Sequence, residues 1–465
     1  EEMRELKGDW RDLFNGFMVA LDLRKCFLAL LGIFVTICAC GGLTIVMGHS
    51  IDRKSVEPPK DLVLHHWWNT QSAAWDVIYH GKYAEEPASL STAPAGAMMG
   101  PKSAPVTVVP QMPKREKASA VIRIGYTIAF ALLFLTIWSY FGGAIARIAA
   151  YEIAKDGERI ETRKALQFAR RKFWSFFWAP LICVIGFFFF AVCNYAGGLI
   201  GSVLDFVKIG SPLVALLLPL ALLSGFIMTL ICVGTVTGLP LFAPAVAAEG
   251  TDSFDAVSRG FSYVYSRPWH YIWYQMVSSA YGYVCIGFVI LFAITMCHLG
   301  IEAGAQGFEL SGIWKSGAFH RVANESWAQI LSKEHQPCGY YGWDPLEVAK
   351  APHPYGRLQH LANSIVDVDY ENHGVSDGKD TIASFLITFW LAITLGLALG
   401  YVVSFFISQQ TMIYYILRKK VDGIEMNEVF EESEEEAKPA EAPKPASAAP
   451  AGDAKPAEPP KEEKK

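Results

Sequence analysis

The chain has 465 residues, of which 52% are hydrophobic and 18% are charged, and its formal net charge is −5. Soluble domains carry charge on about a quarter of their residues. This composition, with a mean hydropathy of +0.26, therefore excludes an ordinary soluble protein. The slightly acidic balance provides no global basic field, so we expect no nucleic-acid partner.

The apolar residues are gathered in six runs, none of which contains Asp, Glu, Lys, Arg or His. Each run has at least about 20 residues, which is enough to cross a hydrocarbon core of about 30 Å as a helix. Ionisable side chains at membrane depth are typical of ion paths and proton relays, so their absence argues against a pump. The runs are Cys26–Gly48, Ile124–Ala146, Trp174–Leu204, Leu213–Ala247, Tyr271–Cys297 and Thr381–Leu417.

The first run is longer than the core of a signal peptide, which has about 7–15 residues, so we interpret it as a retained helix.

These runs and the polar stretches between them predict twelve segments in chain order. The prediction is a cytoplasmic interfacial helix over 1–24, spans over 25–48 and 119–153 around an extracytoplasmic segment with a Pro/Ala-rich linker over 49–118, a cytoplasmic amphipathic segment over 154–173, spans over 174–204 and 213–247, a second amphipathic segment over 248–270, spans over 271–300 and 381–417 around an extracytoplasmic segment over 301–380, and a disordered cytoplasmic tail over 424–465.

Lys and Arg near the helix ends set the predicted orientation, because cytoplasmic loops carry an excess of basic residues. The basic groups precede the first span, lie between the second and third and between the fourth and fifth, and follow the sixth. Six crossings place all four groups on one side. We therefore expect a multi-pass protein of the bacterial inner membrane with both termini in the cytoplasm.

A threefold repeat is the next prediction. Three polar, partly amphipathic stretches become basic and aromatic just before a span. They are Asp12–Phe27, Glu161–Trp178 and Asp255–Tyr274. An acid-Gly pair follows every second span, at Asp156-Gly157, Glu249-Gly250 and Asp422-Gly423. The alternative is that cytoplasmic loops commonly end in this way, which explains the charges but not the recurring acid-Gly exit. We predict an all-α integral membrane protein of three amphipathic-helix and helical-hairpin units, with an extracytoplasmic cap and a disordered tail.

Two groups of residues are candidates for interfacial and packing roles. Trp174, Trp178, Trp269 and Trp273, with Arg267, are expected in the aromatic and basic belt at the membrane surface. Glycines four residues apart let helices approach closely where lipid provides no hydrophobic drive, and we expect internal packing rather than dimerisation. These glycines are Gly197 and Gly201, Gly234 and Gly238, and Gly396 and Gly400.

Motifs for catalysis, metal or cofactor binding are missing from the sequence. His65 and His66 are adjacent and would diverge on a helix or strand, and the nine cysteines form no CxxC pair. No Walker loop, HExxH or GxSxG motif occurs. We therefore expect neither metal nor cofactor, and no catalytic residue can be named.

The segments GFSYVYSRPWHYIWY (Gly260–Tyr274) and YYILRKKVDGIEMNEVF (Tyr414–Phe430) resemble uncharacterised six-span membrane proteins of planctomycete-type bacteria. The succession of acid-Gly pair, amphipathic helix, Arg-Pro-Trp and span is also distantly similar to the membrane domain found with some glycerophosphodiester phosphodiesterases. The resemblance covers the membrane body. It implies fold and membrane location, and it transfers no active site because the catalytic domain of those enzymes has no counterpart here.

Three functions are compatible with these features. The favoured one is a non-enzymatic scaffold, assembly or lipid-interacting protein, with membrane lipids and other membrane proteins as partners. A permease or channel-like subunit is the alternative, and it requires polar groups such as Asn194, Gln275 and Gln409 to converge on one lumen. A membrane enzyme with its site in the extracytoplasmic cap is the third.

Overall fold

The computed structural model describes residues 7–53, 56–57, 64–83, 115–116, 120–310 and 378–431. Most of the expected extracytoplasmic cap and nearly all of the expected tail lie outside the described residues.

Ten α-helices form the described part of the chain. A 3-10 turn, Trp10–Asn15, leads into α1, and a two-residue antiparallel ladder joins Lys82–Tyr83 to Arg115–Glu116. The helices are α1 (Gly16–Ala20), α2 (Leu23–Ile51), α3 (Leu64–His80), α4 (Ala120–Ala154), α5 (Thr162–Arg171), α6 (Phe173–Leu204), α7 (Gly210–Glu249), α8 (Ser253–Ser266), α9 (Pro268–Leu310) and α10 (Gly378–Asp422).

Six of these helices, α2, α4, α6, α7, α9 and α10, are long and apolar enough to cross a membrane. The prediction of an all-α polytopic membrane protein is confirmed. Several helices extend beyond the apolar runs: α2 begins before Lys25, α7 ends at Glu249 and α10 continues past Arg418. Charged residues that flank the runs in the sequence therefore belong to the spanning helices.

The spanning helices pair in chain order as three antiparallel hairpins: α2 with α4, α6 with α7, and α9 with α10. The second helices, α4, α7 and α10, also contact one another, and α2 packs against α10. Helices α4, α7 and α10 all end at the same end of the bundle, and we call this end the charged end. Each acid-Gly pair lies there, and each of its glycines, Gly157, Gly250 and Gly423, has a positive φ that glycine adopts without steric cost.

The amphipathic segments pack on the second helix of a hairpin. Helix α5 packs on α4, α8 packs on α7, and α1 packs on α10. Local capping begins these elements: Asp252 accepts the backbone N–H of Asp255 at the start of α8, and Asp12 accepts the backbone N–H groups of Lys7, Gly8 and Asp9. Such side-chain caps satisfy donors that a helix start leaves unpaired.

Helix α3 packs against the first hairpin away from the charged end. Ala74 faces Gly48 of α2, and the ring of Trp75 meets that of Tyr126 of α4 in an edge contact of 5.8 Å between centroids. The Tyr126 hydroxyl is fully buried and shares a 2.7 Å hydrogen bond with Thr44. The described part of the expected extracytoplasmic segment before the linker is therefore packed on the helical bundle.

Helices α2 and α10 approach each other closely at Gly400. A methyl group there would collide with the carbonyl oxygen of Cys26, and backbone cannot move aside as a flexible side chain can. Gly400→Ala should therefore destabilise the protein by about 1–3 kcal/mol, the usual cost of overpacking. The measurement is the midpoint of thermal unfolding of the detergent-solubilised protein.

Gly287→Ala is the matched control, because nothing lies within 4 Å of a methyl group at that position of α9. It should leave the midpoint unchanged or raise it slightly. Equal midpoints for the two variants would contradict the close approach of α2 and α10.

Candidate functional site: charged residues at one end of the bundle

A buried ion pair joins the two helices of the first hairpin. Lys25, near the start of α2, places its Nζ 2.6 Å from the Oε2 of Glu152, near the end of α4. The Lys25 side chain is fully buried. Burying two charges costs several kcal/mol per ion, and the pair is tolerated only because each charge compensates the other. The pair therefore fixes the position of α2 relative to α4.

Arg147 connects α4 with α7 and α5. Its guanidinium donates a 2.8 Å hydrogen bond to the carbonyl oxygen of Ala247 and lies 4.4 Å above the ring of Phe168. A guanidinium over an aromatic face is attracted by the negative π-surface, and more strongly where water is excluded. Arg147 is 4% exposed, so it acts as a buried connector between the first two hairpins.

Glu249, the last residue of α7, is the centre of the second group of contacts. Its Oε2 lies 2.5 Å from Arg259 of α8. Its Oε1 accepts a hydrogen bond from the Tyr414 hydroxyl of α10 and lies 3.8 Å from the Arg418 guanidinium. One carboxylate thus joins α7, α8 and α10 through charge-assisted contacts, which are stronger than neutral hydrogen bonds.

Two tyrosines complete the contacts with α10. The Tyr263 hydroxyl of α8 donates to Asp422, and the Tyr415 hydroxyl donates to the carbonyl oxygen of Ala150 in α4 at 3.2 Å. Burial, followed by the hydrogen bond to Asp422, raises the pKa of Tyr263. The phenol therefore stays neutral and remains a donor across the physiological pH range.

The pKa of Arg259 is also shifted. Burial alone would lower this pKa, but the Glu249 carboxylate and the hydrogen bond to Asp255 raise it above its usual value. The guanidinium is therefore charged at every pH the protein meets.

Arg418 also holds the chain that follows α10. Its guanidinium donates to the backbone carbonyl oxygens of Glu425 and Glu428, at 3.0 and 2.7 Å. The side chain is 3% exposed and lies over the ring of Tyr415. One arginine thus fixes the segment after α10 onto the charged end.

The five charged residues Lys25, Arg147, Glu152, Glu249 and Arg418, which we call the charged cluster, are bound to protein groups. Within the described ranges, no group of three or more His, Cys, Asp or Glu could hold a metal ion. A shallow groove of about 410 Å³ lies elsewhere, along α9, lined by Tyr271, Ile272, Gln275, Met276 and Ser279. The residues of the charged cluster thus join the helices to one another.

The aromatic and basic candidates lie on the surface. Trp269 is 80% exposed and Trp174 is 63% exposed. Trp178 and Trp273 are also exposed, and Arg267 caps the end of α8 immediately before α9. These positions adjoin the first turns of α6 and α9, where a membrane surface would meet the helices.

The glycine candidates have different environments. Gly201 faces Val214, Gly234 and Gly238 face Phe261, Gly396 faces Leu30, and Gly400 faces Cys26 and Leu30. Nothing lies within 4 Å of a methyl group on Gly197 among the described residues. Gly197 therefore has no close-packing role within the described body.

The three polar residues proposed for a lumen occupy three separate helix interfaces. Asn194 bonds to Ser224 between α6 and α7. Gln275 exchanges two amide hydrogen bonds with Gln410 between α9 and α10. Gln409 donates to the carbonyl oxygen of Leu13 in the N-terminal turn. Their contacts join helices pairwise.

No protein-family model matches the chain, and no curated protein or solved structure is significantly similar to it. The resemblance to planctomycete-type membrane proteins therefore stays a prediction, and the functional argument rests on the geometry.

Proposed function

We propose that the protein is a non-enzymatic scaffold of the bacterial inner membrane, with both termini in the cytoplasm, which contacts membrane lipids and other membrane proteins through the hairpin of α6 and α7. The observation that supports this proposal is the exposure of the apolar side chains of this hairpin. Leu216, Leu217, Leu218 and Leu220 of α7 point in different directions around the helix axis, and each is at least half exposed.

The polar groups of this hairpin bond inside it and leave an apolar exterior. Asn194 accepts from the Ser224 hydroxyl at 2.8 Å and donates to the sulfur of Met228 at 3.8 Å. Phe188 and Phe189 of α6 are more than half exposed. Lipid tails are as apolar as leucine, so a helix with this surface associates with others by shape and van der Waals packing. The charged end meanwhile holds the three hairpins in fixed positions, as a scaffold requires.

Photo-crosslinking from inside the membrane tests this proposal. A photoreactive phenylalanine analogue at Leu220 should give protein adducts of defined mass, and the same analogue at Ile413, which is fully buried, should give only intramolecular adducts. Lipid adducts alone at Leu220, Phe188 and Leu216 would contradict the scaffold role.

The transport alternative has its own test, because the scaffold proposal expects no solute path. Reconstituted protein in sealed vesicles with a pH-sensitive dye and an imposed potential should leak no faster than empty vesicles. Gln275→Leu removes the pair of amide hydrogen bonds with Gln410. A proton flux well above that of empty vesicles, and abolished by this substitution, would favour the hypothesis of a permease.

We also infer that the three units are repeats of one another. The support is the common order of contacts: α5 follows and packs on α4, α8 follows and packs on α7, and α1 packs on α10. A closed ring of three units would produce this arrangement, with the N-terminal segment on the last hairpin.

A further inference from the structure

Helix α5 has two faces of opposite character. Ala165, Phe168 and Ala169 are buried, at the spacing of one helical stripe. Arg163 and Arg170 are exposed on the opposite side, and Lys164 is exposed at the edge of that side. The helix itself contains no acidic residue, and Glu161 lies just before its first turn. This basic face, defined by Arg163, Lys164 and Arg170, points away from the bundle.

The contacts of α5 fix its depth. Ala165 and Ala169 belong to one buried cluster with Leu28 and Ala29 of α2 and with Ile145 and Ile148 of α4. These partners lie about one and a half to two and a half turns inside the spanning helices. Helix α5 therefore lies against the flank of the bundle near the membrane surface. Its basic face is exposed and points away from the contact with α2 and α4.

The chain enters the membrane directly after α5. Only Lys172 separates α5 from α6, whose first turn carries the exposed Trp174. Tryptophan is typical of the headgroup level, so this sequence of basic helix and exposed indole has the composition of a membrane-surface element.

Among the described residues, the other two amphipathic segments lack such a face. Helix α8 has one basic residue, Arg259, which is bound to Glu249 and Asp255. The N-terminal turn has Arg11, whose guanidinium lies over Trp10. Of the amphipathic segments in the described part of the chain, α5 is therefore the one with an exposed basic face.

We propose that the basic face of α5 binds the phosphate groups of anionic phospholipids in the leaflet it faces. The inference deepens the lipid contact of the proposed function and rests on it only for the membrane location. Arginine matches phosphate with a planar, bidentate fork of donors, and two of the three residues are arginines. Anionic lipids give the cytoplasmic surface a negative potential that attracts such groups.

Lipid titration followed by native mass spectrometry of the full-length protein tests the proposal. The unaltered protein should bind dioleoyl phosphatidylglycerol more tightly than dioleoyl phosphatidylcholine, which has the same chains and no net charge. Arg163→Gln/Lys164→Gln/Arg170→Gln keeps good helix formers in place. Since each basic residue near an anionic surface contributes about fivefold in affinity, this variant should bind phosphatidylglycerol at least about tenfold more weakly and phosphatidylcholine as before.

Arg11→Gln/Lys419→Gln/Lys420→Gln is the matched control. It removes three positive charges, and Lys419 and Lys420 are paired with Glu425 and Asp9. It should retain the preference for phosphatidylglycerol. Equal losses in both variants would mean that net charge alone attracts the lipid and would overturn the proposal.

Arg163→Lys/Arg170→Lys guards against a folding artefact, because it keeps the charge and should keep most of the lipid preference. Some weakening in this variant would reflect the lost guanidinium forks. A loss as large as in the glutamine variant, with an unchanged elution volume on gel filtration, would contradict attraction of the lipid by the charge of the basic face. Inorganic phosphate at the lipid concentration should not displace the lipid, and displacement would point to a soluble anion instead. None of these results bears on the crosslinks of the α6 and α7 hairpin, so the two proposals fail separately.

Discussion

Glu152→Gln should destabilise the protein by about 3–5 kcal/mol, because it leaves the Lys25 ammonium buried without a counter-charge. The side chain of Lys25 is fully buried, and among the described residues it forms its ion pair with the Glu152 carboxylate, 2.6 Å away. The loss should appear as a lower thermal midpoint in detergent and as a smaller monodisperse fraction. Glu158→Gln is the control, since it removes an exposed acid six residues further along.

The double variant Lys25→Met/Glu152→Leu isolates the pair. Replacing both partners of a buried ion pair by apolar residues of similar size is often neutral or stabilising. The double variant should therefore recover most of the stability lost in Glu152→Gln. A double variant as unstable as the single one would show that the loss arises from packing and not from an unpaired charge.

Glu249→Gln should cost a similar amount, about 3–5 kcal/mol, because the carboxylate balances the buried Arg418 and the half-buried Arg259. Its effect should also be local. Glu249 links α7 with α10, so backbone amides around Tyr414 and Arg418 should exchange hydrogen faster in the variant, while those of α2 should change little. Hydrogen exchange with mass spectrometry separates the two regions.

Glu428→Gln is the control for this prediction. The Glu428 side chain is exposed, and Arg418 bonds only its backbone carbonyl, so the substitution should leave exchange unchanged. Faster exchange throughout α2 and α10 alike would contradict a local link and would indicate global destabilisation.

The sequence alone predicts the spanning helices well, because a run of about 20 uncharged apolar residues has few alternatives to a membrane helix. It also predicts that the stretch before α6 is amphipathic, since apolar and basic residues alternate there with helical spacing. The charged cluster is missed for a related reason. The apolar runs end at the first charge, and Lys25, Arg147 and Arg418 each lie one residue beyond a run.

A charged residue beside an apolar run usually lies at the membrane surface in contact with water. Whether it is buried depends on which helix ends meet. Lys25 and Glu152 are 127 residues apart, and Tyr414 and Glu249 are 165 apart. A single sequence contains no direct signal for such distant contacts. A feature that could have drawn attention to these residues is the position of an acid and a base at corresponding ends of neighbouring spans.

The glycines show the same limit. Gly197 and Gly201 form one GxxxG pair with identical local chemistry, yet Gly201 is packed against Val214 and Gly197 faces open space. The spacing predicts a flat helix face, and the partner helix decides which of the two glycines is used.

Sidedness of exposed positions is the most direct test of the central claim, that all three hairpins end together at one face of the membrane. Single cysteines at Lys208, Glu158, Phe254 and Glu428 are placed in a chain without other cysteines and treated with a membrane-impermeant maleimide on intact spheroplasts. Lys208, in the turn between α6 and α7, should be labelled from outside, and the other three only after permeabilisation. Labelling of Glu158, Phe254 or Glu428 from the same side as Lys208 would contradict the three-hairpin arrangement.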